Sequence, residues 1–209
     1  MANFSLADLA QLAGEHEIAM MLRRKSVKTH LDFVQQLYKD FDEAIQNLIH
    51  NRQRFQRAEF GEDEISAFLI SFLKGRFYDA DHDTQHGGHA DIIVKANNGR
   101  WEWIGEAKLW GGKSWTHEGW KQLVDSYTVA TVGETHSGLL VYIKQDNAKQ
   151  KFDTWYEFFN ESIAPIKLDY LADNPLIFDS VHLNRSSGLE QCVRHFAIPL
   201  WHKNSVTKD

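Results

Sequence analysis

In HLDFVQQLYKDFDEAIQNLI an apolar residue returns every fourth position. Phe33, Leu37, Phe41, Ile45 and Ile49 therefore share one side of a long amphipathic helix. From Leu6 to about Arg57 the chain has one glycine and no proline, so a shorter helix is expected ahead of the long one. FGEDEISAFLISFLKGRF predicts a further helix. Gly61 breaks the chain, acids fill the first turn, and Ile65, Phe68, Leu69, Phe72 and Leu73 form a buried face that Gly75 ends.

The period then changes. YDADHDTQHGGHA is polar and aperiodic and reads as a loop or a frayed edge. DIIVKA and RWEWIGEAKLW read as two strands about NNG, a strong hairpin signal. HEGWKQLVDSYTVAT predicts a helix, SGLLVYIKQ a buried strand, KQKFDTWYEFFNESI a helix, and SVHLN and LEQCVRHFAIPLW two closing strands. This order predicts a mixed α/β fold around one sheet.

Composition narrows the picture. The 209 residues fit one domain with a modest extension. The net charge of −6 argues against an indiscriminate nucleic-acid binder, and the basic clusters at Arg23-Arg24-Lys25 and at Arg52, Arg54 and Arg57 read as solvated helix faces. Cys192 is the one cysteine, which excludes a disulfide framework and a cysteine-rich metal site. MANFSLADLAQLAGEHE has no basic leader followed by an apolar core, and Ile65 to Leu73 is too short to span a bilayer. A soluble, cytoplasmic protein without membrane contact is expected.

The hairpin places charges in a way that asks for chemistry. A tight turn centred on Asn98-Gly99 sets Lys95 opposite Glu102, Ile93 opposite Ile104, and Asp91 opposite Glu106. The first is a complementary charge pair and the second an apolar pair. The third puts two carboxylates about 5 Å apart, where they repel and raise each other's pKa. Lys108 points to the same face as Glu106. A divalent cation with oxygen ligands relieves such a pair, and magnesium is the usual intracellular candidate, with manganese as its substitute. A lysine beside that metal can handle an attacking water while the metal stabilises charge on a phosphate.

Gly88-His89-Ala90-Asp91, fourteen residues, then Glu106-Ala107-Lys108 resembles the PD-(D/E)XK signature of the restriction-endonuclease-like nucleases. The likeness runs from about residue 59 to 145, with Ala90 where the family usually has proline. It implies a three-layer α/β/α core with a mixed central sheet at residues 59–209, preceded by an N-terminal helical extension at 1–58. It also implies a metal-dependent phosphodiesterase, an endonuclease acting on nucleic acid, with DNA favoured over RNA. Asp91 and Glu106 would hold Mg²⁺, the backbone carbonyl of Ala107 would join them, and Lys108 would position the nucleophilic water. An acid on the preceding helix often completes such a site. Glu62, seven residues before Leu69 and on its side of the helix, is the first choice, Glu64 the reserve, and Glu59 lies farther out. Relatives often carry a helical glutamine with tyrosine four residues later. Here Gln122 is kept as a contact to substrate or metal, while Tyr127, five residues on, receives no role.

Other readings are weaker. Asp79, Asp81 and Asp83 imitate a calcium loop, but Thr84 replaces its glycine and Ala90 its terminal acid. His82, His86 and His89 have poor spacing for a transition metal, although His89 flanks Asp91 and can touch a phosphate. His182 and His195 fall in late strands and read as structural. Trp101 and Trp103 read as packing, whereas Trp110, Trp115 and Trp120 follow the acid-rich strand closely enough for one to stack on a base. The N-terminal helices would form a homo-oligomer interface, dock a partner in a larger complex or grip substrate. A defence-system or toxin-like effector fits by analogy alone. The rival reading is a non-catalytic interaction or nucleic-acid-binding module that keeps the same scaffold.

Overall fold

A strand buried on both faces needs helices on both sides, and the centre of this sheet is of that kind. The computed structural model describes residues 16–82 and 89–203, together with Ser5 and Asp8. Seven strands run β1 (Asp79–Asp81), β2 (Ile92–Ala96), β3 (Trp101–Leu109), β4 (His136–Ile143), β5 (Lys167–Leu171), β6 (Asn174–Leu183) and β7 (Glu190–Pro199). Their order across the sheet is β1-β2-β3-β4-β7-β6-β5. The central pairs β3–β4 and β4–β7 are parallel and the outer pairs antiparallel, so the sheet is mixed.

Helices α1 (His16–Lys25), α2 (His30–His50), α3 (Arg52–Phe55) and α4 (Glu62–Gly75) precede the sheet. Thr29 caps α2 by accepting from the Asp32 N–H, and the Asp32 carboxylate accepts in return from Thr29. Phe33, Leu37 and Phe41 of α2 share one apolar core with Ile65 and Leu69 of α4 and with Trp103 of β3. The opposite face is covered by α5 (Lys113–Lys121), a π-helical turn (Gln122–Tyr127) and α6 (Ala148–Ile163). There Ile104 and Val141 meet Leu123, Phe152 and Trp155. The apolar face of α2 is thus used inside the chain. Among the described residues no helix is long and apolar enough to cross a membrane.

The hairpin register is as expected: Ile93 pairs with Ile104 and Lys95 with Glu102, whose side chains lie 3.6 Å apart. Asn98 (φ 56°) and Gly99 (φ 77°) are both left-handed, as a type I′ turn demands. Four expectations need correction. Asp79–Asp81, expected as a loop or a frayed edge, is a short edge strand on β2. The helix expected at 117–131 starts at Lys113, turns to π geometry at Gln122 and ends at Tyr127. The strand expected at 180–184 starts at Asn174 and pairs with an unforeseen β5. The fourth concerns Asp91, which lies outside the ladder: β2 pairs with β3 only from Ile92 opposite Gly105. The helix expected from Leu6 and the loop residues Asp83, Thr84, His86 and Gly88 fall wholly or partly outside the described residues.

Trp103 is fully buried, donates its ring N–H to the Tyr38 hydroxyl at 3.4 Å and lies over two glycines. A Cβ at Gly138 would stand 2.3 Å from the indole and one at Gly105 2.7 Å from it. The ring is locked by Phe41 and Tyr38 and cannot withdraw. Gly138→Ala is therefore expected to destabilise the fold by about 1–3 kcal/mol, read as a lower urea midpoint with unchanged slope.

Candidate functional site

The site begins where one strand outlasts its neighbour. β3 continues to Leu109, four residues past the point where β2 joins it. In a strand the N–H and C=O of one residue point to the same edge, and successive residues alternate. The N–H groups of Glu102 and Trp110 turn towards the β4 side, donating to the carbonyls of Gly133 and Tyr142. Those of Ala107 and Leu109 consequently face the edge that β2 does not reach. Both meet carboxylates. Asp91 Oδ2 accepts from the Ala107 N–H at 2.7 Å, and Glu62 Oε1 accepts from the Leu109 N–H at 2.6 Å. The Ala107 carbonyl faces the same edge and has no partner strand there.

Glu106 and Lys108 project to the face covered by α5. Lys108 Nζ donates to Glu106 Oε1 at 2.5 Å and lies 3.8 Å from Glu62. Its stem crosses Gly119 so closely that a Cβ there would stand 2.6 Å from Lys108 Cγ. Glu106 is 2% exposed, its Oε2 has no donor, and the Asp91 carboxylate stands within hydrogen-bonding reach of it. Burial and then the Asp91 charge push the Glu106 carboxyl up to about 8. Burial also raises Asp91, against the pull of the Ala107 N–H and of Lys108. For Lys108 burial disfavours the charge, but the hydrogen bond and charge of Glu106, then Glu62 and Asp91, outweigh it and raise the pKa. Lys108 is therefore an ammonium group at neutral pH and a donor, not a base. Two buried acceptors facing each other need a shared proton or a cation between them.

The remaining candidates separate. The Glu64 carboxylate accepts from the Gly61 N–H at the start of α4, and Glu59 pairs with Arg57, so neither joins the group. Asp63, not foreseen, is close enough for its charge to raise Asp91. Gln122 is exposed at the first position of the π turn. Tyr127 instead is buried in the field of Glu106, Lys108 and Asp91. The π turn explains this exchange: Thr128 N–H reaches back five residues to the Leu123 carbonyl at 3.1 Å, which absorbs one extra residue before the tyrosine. That extra residue was visible as the five-residue spacing, but spacing alone does not reveal a π turn. Trp120 belongs to the core, whereas Trp115 is 51% exposed beside Gly111. His89 is exposed next to Asp91, and His195 is a core residue bonded to Ser180 and Trp155.

The donor set contains two facing carboxylates, a third across an ammonium group and a backbone carbonyl without a strand partner, all oxygen ligands suited to Mg²⁺ or Mn²⁺. Among the described residues no three His, Cys, Asp or Glu side chains form a group that could hold a metal ion, and Lys108 contacts both Glu106 and Glu62. No family model, curated protein or solved structure matches this chain.

The Glu106 environment has a signature in stability. Its folded pKa of about 8 lies above the ordinary 4.5, so the native state holds the proton more tightly than the unfolded chain. Folding stability then falls as pH rises from about 4.5 to about 8 and levels off above. Glu106→Gln removes the titration. In EDTA its stability relative to wild type is expected to grow by about 1–3 kcal/mol across that window, measured by urea unfolding at successive pH values.

Proposed function

We propose that the chain is a metal-dependent nuclease with a restriction-endonuclease-like core. The observation that carries this reading is the carboxylate pair of buried Glu106 and partly buried Asp91 beside the Lys108 ammonium group, on a strand edge that β2 does not reach. The hairpin, the two helical layers and the parallel β3–β4 pair agree with that core.

Asp91, Glu106 and the Ala107 carbonyl would hold Mg²⁺ or Mn²⁺, with Glu62 completing the set once Lys108 moves aside. The bound ion would supply Lewis-acid stabilisation of charge on the phosphate. The Ala107 and Leu109 N–H groups fix the Asp91 and Glu62 carboxylates in place before substrate arrives. Lys108, an ammonium donor, orients the attacking water and offsets negative charge as the phosphodiester bond is cleaved. DNA is the favoured substrate. A second reading has its own observation: Asp91 and Glu62 each satisfy a backbone N–H, which a non-catalytic scaffold would also need.

Asp91→Asn separates the two, because the amide oxygen still accepts from Ala107 while the anionic ligand is gone. Wild type, Asp91→Asn and Lys108→Ala meet circular, linear and single-stranded DNA and RNA with Mg²⁺, Mn²⁺ or EDTA. The expected result is metal-dependent cutting by wild type and a loss of at least about a hundredfold in both variants. Asp91→Asn should melt at or above the wild-type temperature in EDTA, since the repulsion is relieved, but lose the stabilisation that metal gives wild type. Cutting that persists in EDTA, or a wild type that neither cuts nor is stabilised by metal, overturns the proposal.

A further inference from the structure

β3, β4 and β7 are parallel, so their carboxyl ends share one edge of the sheet. The candidate site stands at the same edge, where Glu62 meets the Leu109 N–H at the end of β3. In open α/β sheets this is the edge at which ligands dock. Here the chain lays a tied floor across it. Gln145 Nε2 donates to the Trp110 carbonyl at 3.3 Å, joining the end of β4 to that of β3. The Leu200 N–H donates to the Ile143 carbonyl at 2.8 Å, joining β7 to β4. The segment between α3 and α4 closes one side. Lys144 donates to the carbonyls of Arg57 and Phe60, and Gln56 Oε1 accepts from the His202 N–H at 2.9 Å. The first turn of α5 closes the other side.

Two kinds of side chain stand out of this floor. Of the seven tryptophans, Trp115 and Trp201 are the exposed ones, at 51% and 45%, and both belong to this edge. Trp115 rests on Gly111, where a Cβ would stand 3.2 Å from its ring. It shares a side of α5 with Gly119, which crosses the Lys108 stem one helical turn further on. Trp201 follows the end of β7, two strand spacings or about 10 Å from β3. The second kind is cationic. Lys113 lies over the Phe158 ring at 5.2 Å, Arg54 lies over the Phe60 ring at 5.2 Å, and Lys144 meets carbonyls, so rings and carbonyls rather than acids hold these charges. The acids of the same rim are already engaged: Glu59 by Arg57, Glu64 by the Gly61 N–H and Asp146 by Lys151. Outside the carboxylate site the edge therefore keeps unbalanced positive charge.

Cations beside exposed aromatic faces suit a single strand, whose phosphates pair with the charges while its bases stack on the rings. A duplex does not use the rings, because its bases face one another and offer only their edges. We infer that this edge binds single-stranded DNA, with bases on Trp115 and Trp201 and phosphates at Lys113, Arg54 and Lys144, so that the strand runs beside the carboxylates. That the partner is a nucleic acid rests on the nuclease reading; that it is unpaired rests on the two rings and the cations beside them.

The test is binding by the full chain in EDTA, where no metal-dependent cutting interferes. The probe is a fluorescein-labelled oligothymidylate of about twelve nucleotides, read by anisotropy alone and annealed to its oligoadenylate complement. At about 50 mM salt the single strand is expected to bind at least about tenfold more tightly than the duplex, and to weaken steeply as salt rises. Trp115→Ala and Trp201→Ala should each weaken the single strand by about five- to tenfold and leave the duplex unchanged, while Trp115→Phe and Trp201→Phe keep most of the affinity. Lys113→Ala and Arg54→Ala should weaken both probes and lower the salt slope by about one unit each. Duplex binding as tight as that of the single strand overturns the inference, as does no single-strand binding up to about 100 μM protein. So does an affinity left intact by combined Trp115→Ala and Trp201→Ala in a variant that melts like wild type. A chain that cuts duplex DNA with metal but gives one of these results keeps the nuclease reading and loses this inference. A chain that binds single strands as described but cuts nothing does the reverse.

Discussion

A backbone N–H in a buried strand must find an acceptor, and β3 runs past the end of its neighbour before that demand is met. Ala107 and Leu109 sit where β2 has not begun, and their N–H groups would otherwise face a gap. Asp91 and Glu62 fill it with carboxylates brought from two directions: a bend just ahead of β2, and the first turn of α4. Glu62 stands in the first turn of α4, while burial around Asp91 disfavours the charge of its carboxylate. The position of α4 follows from the same demand, and Lys144 reinforces it by donating to the carbonyls of Arg57 and Phe60 just ahead of that helix.

On the other face of β3 the constraint is steric. Lys108 must lie flat under α5 to reach Glu106, and Gly119 is the position that lets it pass. The π turn that follows brings Tyr127 rather than Gln122 into the field of the acids. A single added residue in a helix thus decides which side chain looks into the site. Nothing in hydrophobic period distinguishes the two outcomes, because Leu123, Val124 and Tyr127 are buried in either geometry.

What was legible follows the same division. Strong local signals carried through: the four-residue rhythm of α2, the Gly61 start of α4 and the Asn98-Gly99 turn, which set the register of β2 and β3 to the residue. The departure of Asp91 from that register was not legible. Strand alternation says which face a side chain takes but not where a ladder stops, and the bend depends on an acceptor need on the neighbouring strand. β5 was missed for another reason. It is an edge strand, half exposed, and its partner begins with Asn174-Pro175, a pair that argues against a strand unless it lies where no ladder N–H is needed. The state of His182 was not legible either: in a late strand it reads as a satisfied core residue, and only the packed arrangement leaves its ring nitrogens without a hydrogen-bond partner among the described residues.

The edge hydrogen bonds alone do not account for the chemistry at the carboxylates. Asn at position 91 and Gln at position 62 would cap Ala107 and Leu109 as well as the acids do, without repulsion between buried charges. Glu106 caps nothing. It is 2% exposed, one oxygen is held by Lys108, and the other faces a second carboxylate with no donor between them. A group so placed lowers stability at neutral pH, and an apolar side chain on this face would pack beside Ile104 and Val141 at no such cost. The backbone therefore explains why Asp91 and Glu62 stand where they do, and leaves Glu106 in need of a shared proton or a cation between it and Asp91. That residue, rather than the motif it belongs to, is the physical ground on which the proposed metal site rests.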